Sequence, residues 1–111
     1  MSVSTANARL EAVHKTKRAR VSAAVRLAKQ AERVRKNGDF DKSAALLSEA
    51  QALDVENADA AWWLGDHWHS EGNTSEALKQ FRRYLRLCPG DPEALHMISA
   101  LGGRPKPRRA S

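Results

Sequence analysis

The chain of 111 residues is poor in the residues that usually announce chemistry: one Cys, three Trp, two Phe and one Tyr. A single cysteine, Cys88, excludes an intramolecular disulfide. No run approaches the ~20 apolar residues that a membrane-spanning helix needs. The N-terminal stretch MSVSTANARLEAVHKTKRAR has no apolar segment of the kind a secretory signal carries, although it shares the Arg-rich, acid-poor composition of transit peptides. These absences predict a soluble, cytoplasmic protein with no membrane contact. At this length one domain is the most the chain can hold. Apolar residues make up 41% and charged residues 29%, and alanine supplies much of the apolar share. A small, thin-cored, heavily solvated body follows.

Catalytic constellations are missing too. The glycines stand alone as turn residues, and the Gly102-Gly103 pair leads to Pro105 rather than into a helix, so no phosphate-cradling loop is present. His67 and His69 are two residues apart and diverge by ~200° on a helix. An i, i+4 pair would be needed to hold one metal ion. Cys88 has no second cysteine beside it and falls at the C-terminal end of a predicted helix, a position that does not activate a thiol. The chain therefore reads as non-enzymatic, with no cofactor and no metal.

What is present is charge asymmetry and a repeat. Residues 1–37 hold ten Lys/Arg against two acids, residues 38–101 five against eleven, and residues 102–111 four against none. Two basic arms flank an acidic body. Residues 34 apart match in character: Ala31 with Gly65, Val34 with Trp68, Gly38 with Gly72, Asp39 with Asn73, Leu47 with Phe81, Leu53 with Leu87. A fixed period of this length signals a repeat architecture.

Each unit reads as helix, turn, helix. Ala61, Leu64, Gly65 and Trp68 recur at i, i+3, i+4, i+7, one helical stripe. Gly72 ends that helix. Asn73 caps the next, with Glu76 at the capping-box spacing, and Ala77, Leu78, Phe81, Tyr84 and Leu85 form its buried face. Pro92 suits the first position of a final short helix, which Gly102 ends.

The segment WWLGDHWHSEGNTSEALKQFRRYLRLCPGDP resembles a tetratricopeptide repeat. Leu64-Gly65, Trp68, Gly72, Ala77, Phe81 and Pro89 match the family's spacing. AVRLAKQAERVRKNGDFDKSAALLSEAQALDVEN is a more degenerate copy that keeps Ala31, Gly38 and Ala50. Two departures stand out. The family's signature tryptophan falls at Ala61, with Trp62 and Trp63 one and two residues later, and Tyr84 stands where the family favours alanine. The resemblance implies an all-α, helix-turn-helix repeat solenoid: two repeats, an N-terminal helix and a short C-terminal helix. The expected organisation is a basic, helical arm over 1–21 and a repeat domain over 22–101. Its repeats span about 24–57 and 58–91, with a partial capping helix at 92–101, and a basic flexible tail follows at 102–111.

The resemblance further implies a non-catalytic module that binds a peptide or partner helix in a concave groove. The matching face offers Ala28, Glu32, Arg35, Asp59, Trp62, Asp66 and His69, with His96 nearby. That set is mixed and partly acidic, so a basic or apolar partner is expected rather than an acidic chain end. Trp68 is expected in the core. Two readings of Trp62 stand: the groove's anchor, or a wedge against the last short helix near His96 or Met97. The N-terminal arm, with Leu10 and Val13 before Lys15 and Lys17, is itself a segment the groove would accept, so a homodimer by arm exchange is a further expectation. Two alternatives remain open. Lys15, Lys17, Arg18, Arg20, Arg104, Lys106, Arg108 and Arg109 would support weak, sequence-blind contact with nucleic acid, without the aromatic residues that base stacking uses. The stretch DPEALHMISALGGRPKPRRAS resembles the junction in bacterial proteins that carry such repeats ahead of an S-adenosylmethionine-dependent methyltransferase domain, which implies the non-catalytic front of a larger enzyme or a stand-alone relative.

Overall fold

The computed structural model describes residues 16–102. Five helices follow one another among them: α1 (Lys17–Lys36), α2 (Phe40–Leu53), α3 (Ala58–Ser70), α4 (Thr74–Leu87) and α5 (Pro92–Ala100). The chain divides into two compact units at Asn57 and Ala58, with α1 and α2 in the first and α3 to α5 in the second. None of the described helices is long and apolar enough to cross a membrane.

The same turn closes the first helix of each unit. Gly38 and Gly72 take positive φ, 90° and 80°. Asp39 N donates to Val34 O at 3.0 Å and Gly38 N to Arg35 O at 2.9 Å. In the second unit Asn73 N donates to Trp68 O at 2.9 Å and Gly72 N to His69 O at 3.0 Å. These paired bonds satisfy carbonyls that a helix end would otherwise leave open, and they require a left-handed residue that only glycine adopts at no steric cost. The residue after each glycine caps the next helix. Asp39 Oδ1 accepts from Lys42 N at 3.2 Å, and Asn73 Oδ1 from Glu76 N at 3.1 Å. The capping box expected at Glu76 is half made: the Asn73 N–H is taken by Trp68 O, and the Glu76 carboxylate accepts from Lys79 Nζ at 3.0 Å. Asp91 Oδ2 caps α5 through Ala94 N at 2.9 Å, with Pro92 behind it at the helix start.

The basic residues Lys17, Arg18 and Arg20 open the same continuous helix whose later turns carry the buried Ala23, Ala24, Ala28 and Ala31. Its cap is Thr16, whose hydroxyl accepts from Ala19 N at 3.0 Å. Leu10, Val13 and Lys15 lie outside the described residues, as do Arg104, Lys106, Arg108 and Arg109. Small side chains let α2 come close to α1: the buried Ser43 Oγ reaches across to donate to Ala31 O at 2.9 Å.

In the second unit the approach is closer still. A Cβ on Gly65 would lie 2.7 to 2.9 Å from three carbons of the Phe81 ring. No side chain at position 65 fits without moving that ring, and Phe81 is fully buried at 0% exposure. The first unit has Ala31 and Leu47 at the corresponding positions, at 0% and 1%. Across the repeat the smaller residue on the first helix is matched by the larger one on the second: glycine with phenylalanine, alanine with leucine. Ala77, Phe81 and Ile98 form the buried cluster of the second unit, with Trp62, Trp68, Leu78, Leu85, Met97 and Leu101 packed on it.

Gly65→Ala is expected to lower stability by about 1–3 kcal/mol through overpacking, although alanine is the better helix former by ~1 kcal/mol. Adding Phe81→Leu restores the pairing found in the first unit and should recover most of the loss. Urea melts of the two single variants and the double variant read this directly. Gly65→Leu should not fold.

Candidate interaction surfaces

Asp59, Trp62, Asp66 and His69 follow one another along α3 at i, i+3, i+7 and i+10, within an arc of ~80°. Asp59 and His69 are exposed, while Trp62 and Asp66 are half-buried. Trp62 is braced from below. Its ring meets Phe81 edge-on, centroids 5.1 Å apart and planes at 63°, and lies 5.0 Å from Tyr84 at 56°. Such tilted pairs match the positive ring edge to the negative ring face. Trp62 thus belongs partly to the packing of its own unit and still shows part of its indole to solvent. Trp68, expected in the core, packs on the same cluster but is only half-buried, as Trp62 is, with the His67 ring 5.2 Å away at 67°. His96 is exposed on α5.

The equivalent positions 34 residues earlier lie on α1. Glu32 corresponds to Asp66, Arg35 to His69, and Ala28 to Trp62. Glu32 is exposed and pairs with Lys36 at 3.7 Å across one helical turn, a contact that such exposure makes worth little. Arg35 is half-buried. Ala28 is buried at 6%, so the first unit has no aromatic anchor where the second has Trp62. Lys17 and Arg18 are exposed at the start of α1, and Arg20 is half-buried there.

Two features escape the sequence reading. Tyr84 does more than fill the place of a small residue: it supports Trp62 and lies beside Cys88. Burial pushes its phenol above the ordinary tyrosine value, and the side-chain hydrogen bond with Cys88, together with the nearby Cys88, Asp91 and Asp59, acts in the same direction. The second is a groove of about 540 Å³ in the first unit, between α1 and α2, lined by Arg26, Leu27, Lys29, Arg33, Glu49 and Leu53 among others. Its cations sit at i, i+3 and i+7 on α1, a stripe apart from Ala28, Glu32 and Arg35. A helical wheel groups those cations, but only the pairing of α1 with α2 shows that they border a depression that Leu27 and Leu53 also line.

The Tyr84 environment has a consequence at alkaline pH. A phenol whose folded pKa lies above its unfolded value of ~10 keeps its proton in the folded state after the unfolded chain has lost it. Stability therefore falls as pH rises above about 10. Replacing Tyr84 with Phe should flatten that fall, as measured by urea midpoints across the alkaline range.

No curated protein matches the chain. A family model for the tetratricopeptide repeat matches residues 28–92, more than half of the chain and the span that contains both glycine turns and the Gly65–Phe81 contact. On that match, and on the doubled helix-turn-helix that accounts for it, the chain belongs to the tetratricopeptide repeat family.

Proposed function

We propose that the chain is a non-catalytic module that binds a peptide or partner helix on the exposed face of α3, with Trp62 as the anchor. Repeats of this family generally mediate protein–protein interaction, which supports the class. The observation that carries the finer reading is the half-open Trp62 indole, held on Phe81 and Tyr84. An aromatic side chain braced on one side has little rotamer freedom left to lose on binding, and tryptophan is enriched at the energetic centres of interfaces. Asp59 and Asp66 stand either side of it along the helix, with His69 one turn further. An apolar side chain flanked by Lys or Arg complements that arrangement. Glu32 and Arg35 are the equivalent polar positions of the first repeat, and His96 supplies a further exposed polar group on α5. These positions favour a basic amphipathic segment over an acidic chain end.

The test uses a fluorescein-labelled peptide with Leu at helical spacing beside Lys and Arg, titrated against the full chain by anisotropy. Trp62→Ala should weaken binding by ~2 kcal/mol or more. Because Trp62 also packs on the core cluster, its stability should fall as well. Trp62→Phe separates the two effects: it keeps a ring on Phe81 and so most of the stability, but loses indole area and the N–H, and should still bind more weakly. Equal peptide affinity for Trp62→Phe and the parent chain would overturn the reading.

A further inference from the structure

We infer that the groove between α1 and α2 is a second docking site, for an acidic segment that carries an apolar anchor. Arg26, Lys29 and Arg33 are exposed along one stripe of α1, and the half-buried Leu27 and Leu53 line the groove with them. The three cations have no ion-pair partner among the described residues; Glu32, the one acid of α1, pairs with Lys36. Glu49 also lines the groove, with no ion pair to them among the described residues, so the groove keeps a net positive lining. Three cations beside two half-buried leucines match a helix or strand that presents Leu-like side chains on one edge and carboxylates on the other. Burial of the apolar anchor supplies affinity, and the carboxylates supply orientation and a faster approach.

A nucleic acid fits this groove less well. The lining has no aromatic side chain on which a base could stack, and its leucines offer nothing to a phosphate backbone. The site is also distinct from the α3 face. It lies in the other unit, carries the opposite charge and uses no residue of the Trp62 group, so either can fail without the other.

The test titrates the full chain by fluorescence anisotropy with a labelled peptide that has Leu at i, i+4 and i+7 and Glu between them. Three companion probes accompany it: the same peptide with Leu replaced by Ser, the same with Glu replaced by Lys, and a short DNA duplex. The Leu/Glu peptide should bind, weaken as salt rises, and bind at least roughly tenfold more tightly than all three companions. Arg33→Glu should weaken it roughly tenfold or more, whereas Lys42→Glu, an equal charge change on exposed α2 outside the groove, should leave it unchanged. Circular dichroism checks that Arg33→Glu is folded, and Lys29→Glu replaces it if it is not. Several outcomes would overturn the inference: no binding of the Leu/Glu peptide, binding equal in Arg33→Glu and the parent chain, or binding as tight by the Ser-substituted peptide, by the Lys peptide or by DNA. So would binding that appears only after residues 1–15 are removed, which would make the chain's own N-terminal segment the occupant. A dimer of the parent chain in sedimentation that Arg33→Glu dissolves would make the occupant a second copy.

Discussion

The second unit depends on one contact, the Phe81 ring set where a side chain on residue 65 would otherwise be. Two helices pack at a distance fixed by the side chains between them. With hydrogen alone at position 65, α4 can bring a whole aromatic ring against the backbone of α3. That ring is then enclosed with Ala77 and Ile98, and Trp62, Trp68, Leu78, Leu85, Met97 and Leu101 pack around the cluster. Complete burial of one such side chain contributes about 1.5–3 kcal/mol, a large fraction of what a thin core can offer. The first unit solves the same problem with milder parts. Its buried positions are mostly alanine, its largest fully buried side chain is Leu47, and a hydroxyl bond from Ser43 to the Ala31 carbonyl supplements the packing.

Much of this is legible in the sequence, because the repeat states it twice. Gly38 and Gly72 mark the turns, Asp39 and Asn73 mark the following caps, and small residues at 31 and 65 face large ones at 47 and 81. These are local or periodic signals, and the physics behind each acts within a few residues of chain. The place of Trp62 is less legible. Helical spacing puts it on a face with Asp59 and Asp66, but periodicity fixes direction and not depth. Whether an indole stands free or leans on a neighbour depends on the partner helix. Here Tyr84, at a position where the family favours alanine, provides the support. Glu76 shows the same limit at smaller scale: the spacing fits a capping box, yet the Asn73 N–H is already taken by Trp68 O in the turn that closes α3.

Charge distribution separates the surfaces of the two units. Helix α1 carries eight Lys/Arg and one acid, Glu32, while the exposed face of α3 is edged by Asp59 and Asp66. The cations near the C-terminal end of α1, Arg33, Arg35 and Lys36, complement the helix dipole. Those at its start, Lys17 and Arg18, oppose it. Helix stability therefore does not explain the whole basic run. A stripe of cations is readable on a helical wheel, and Leu27 lies on the same helix, but Leu53 reaches the groove from the second helix, and so its place there requires the fold.

The claim on which the account rests is that the Gly65–Phe81 contact holds the second unit together. Native-state amide hydrogen exchange addresses it most directly, since protection reports how much structure must open to expose each amide. The account predicts that the slowest amides of the second unit lie around Phe81 in α4 and Trp68 in α3, with those of the short α5 exchanging sooner. Protection around Phe81 no greater than that in α5 would contradict it.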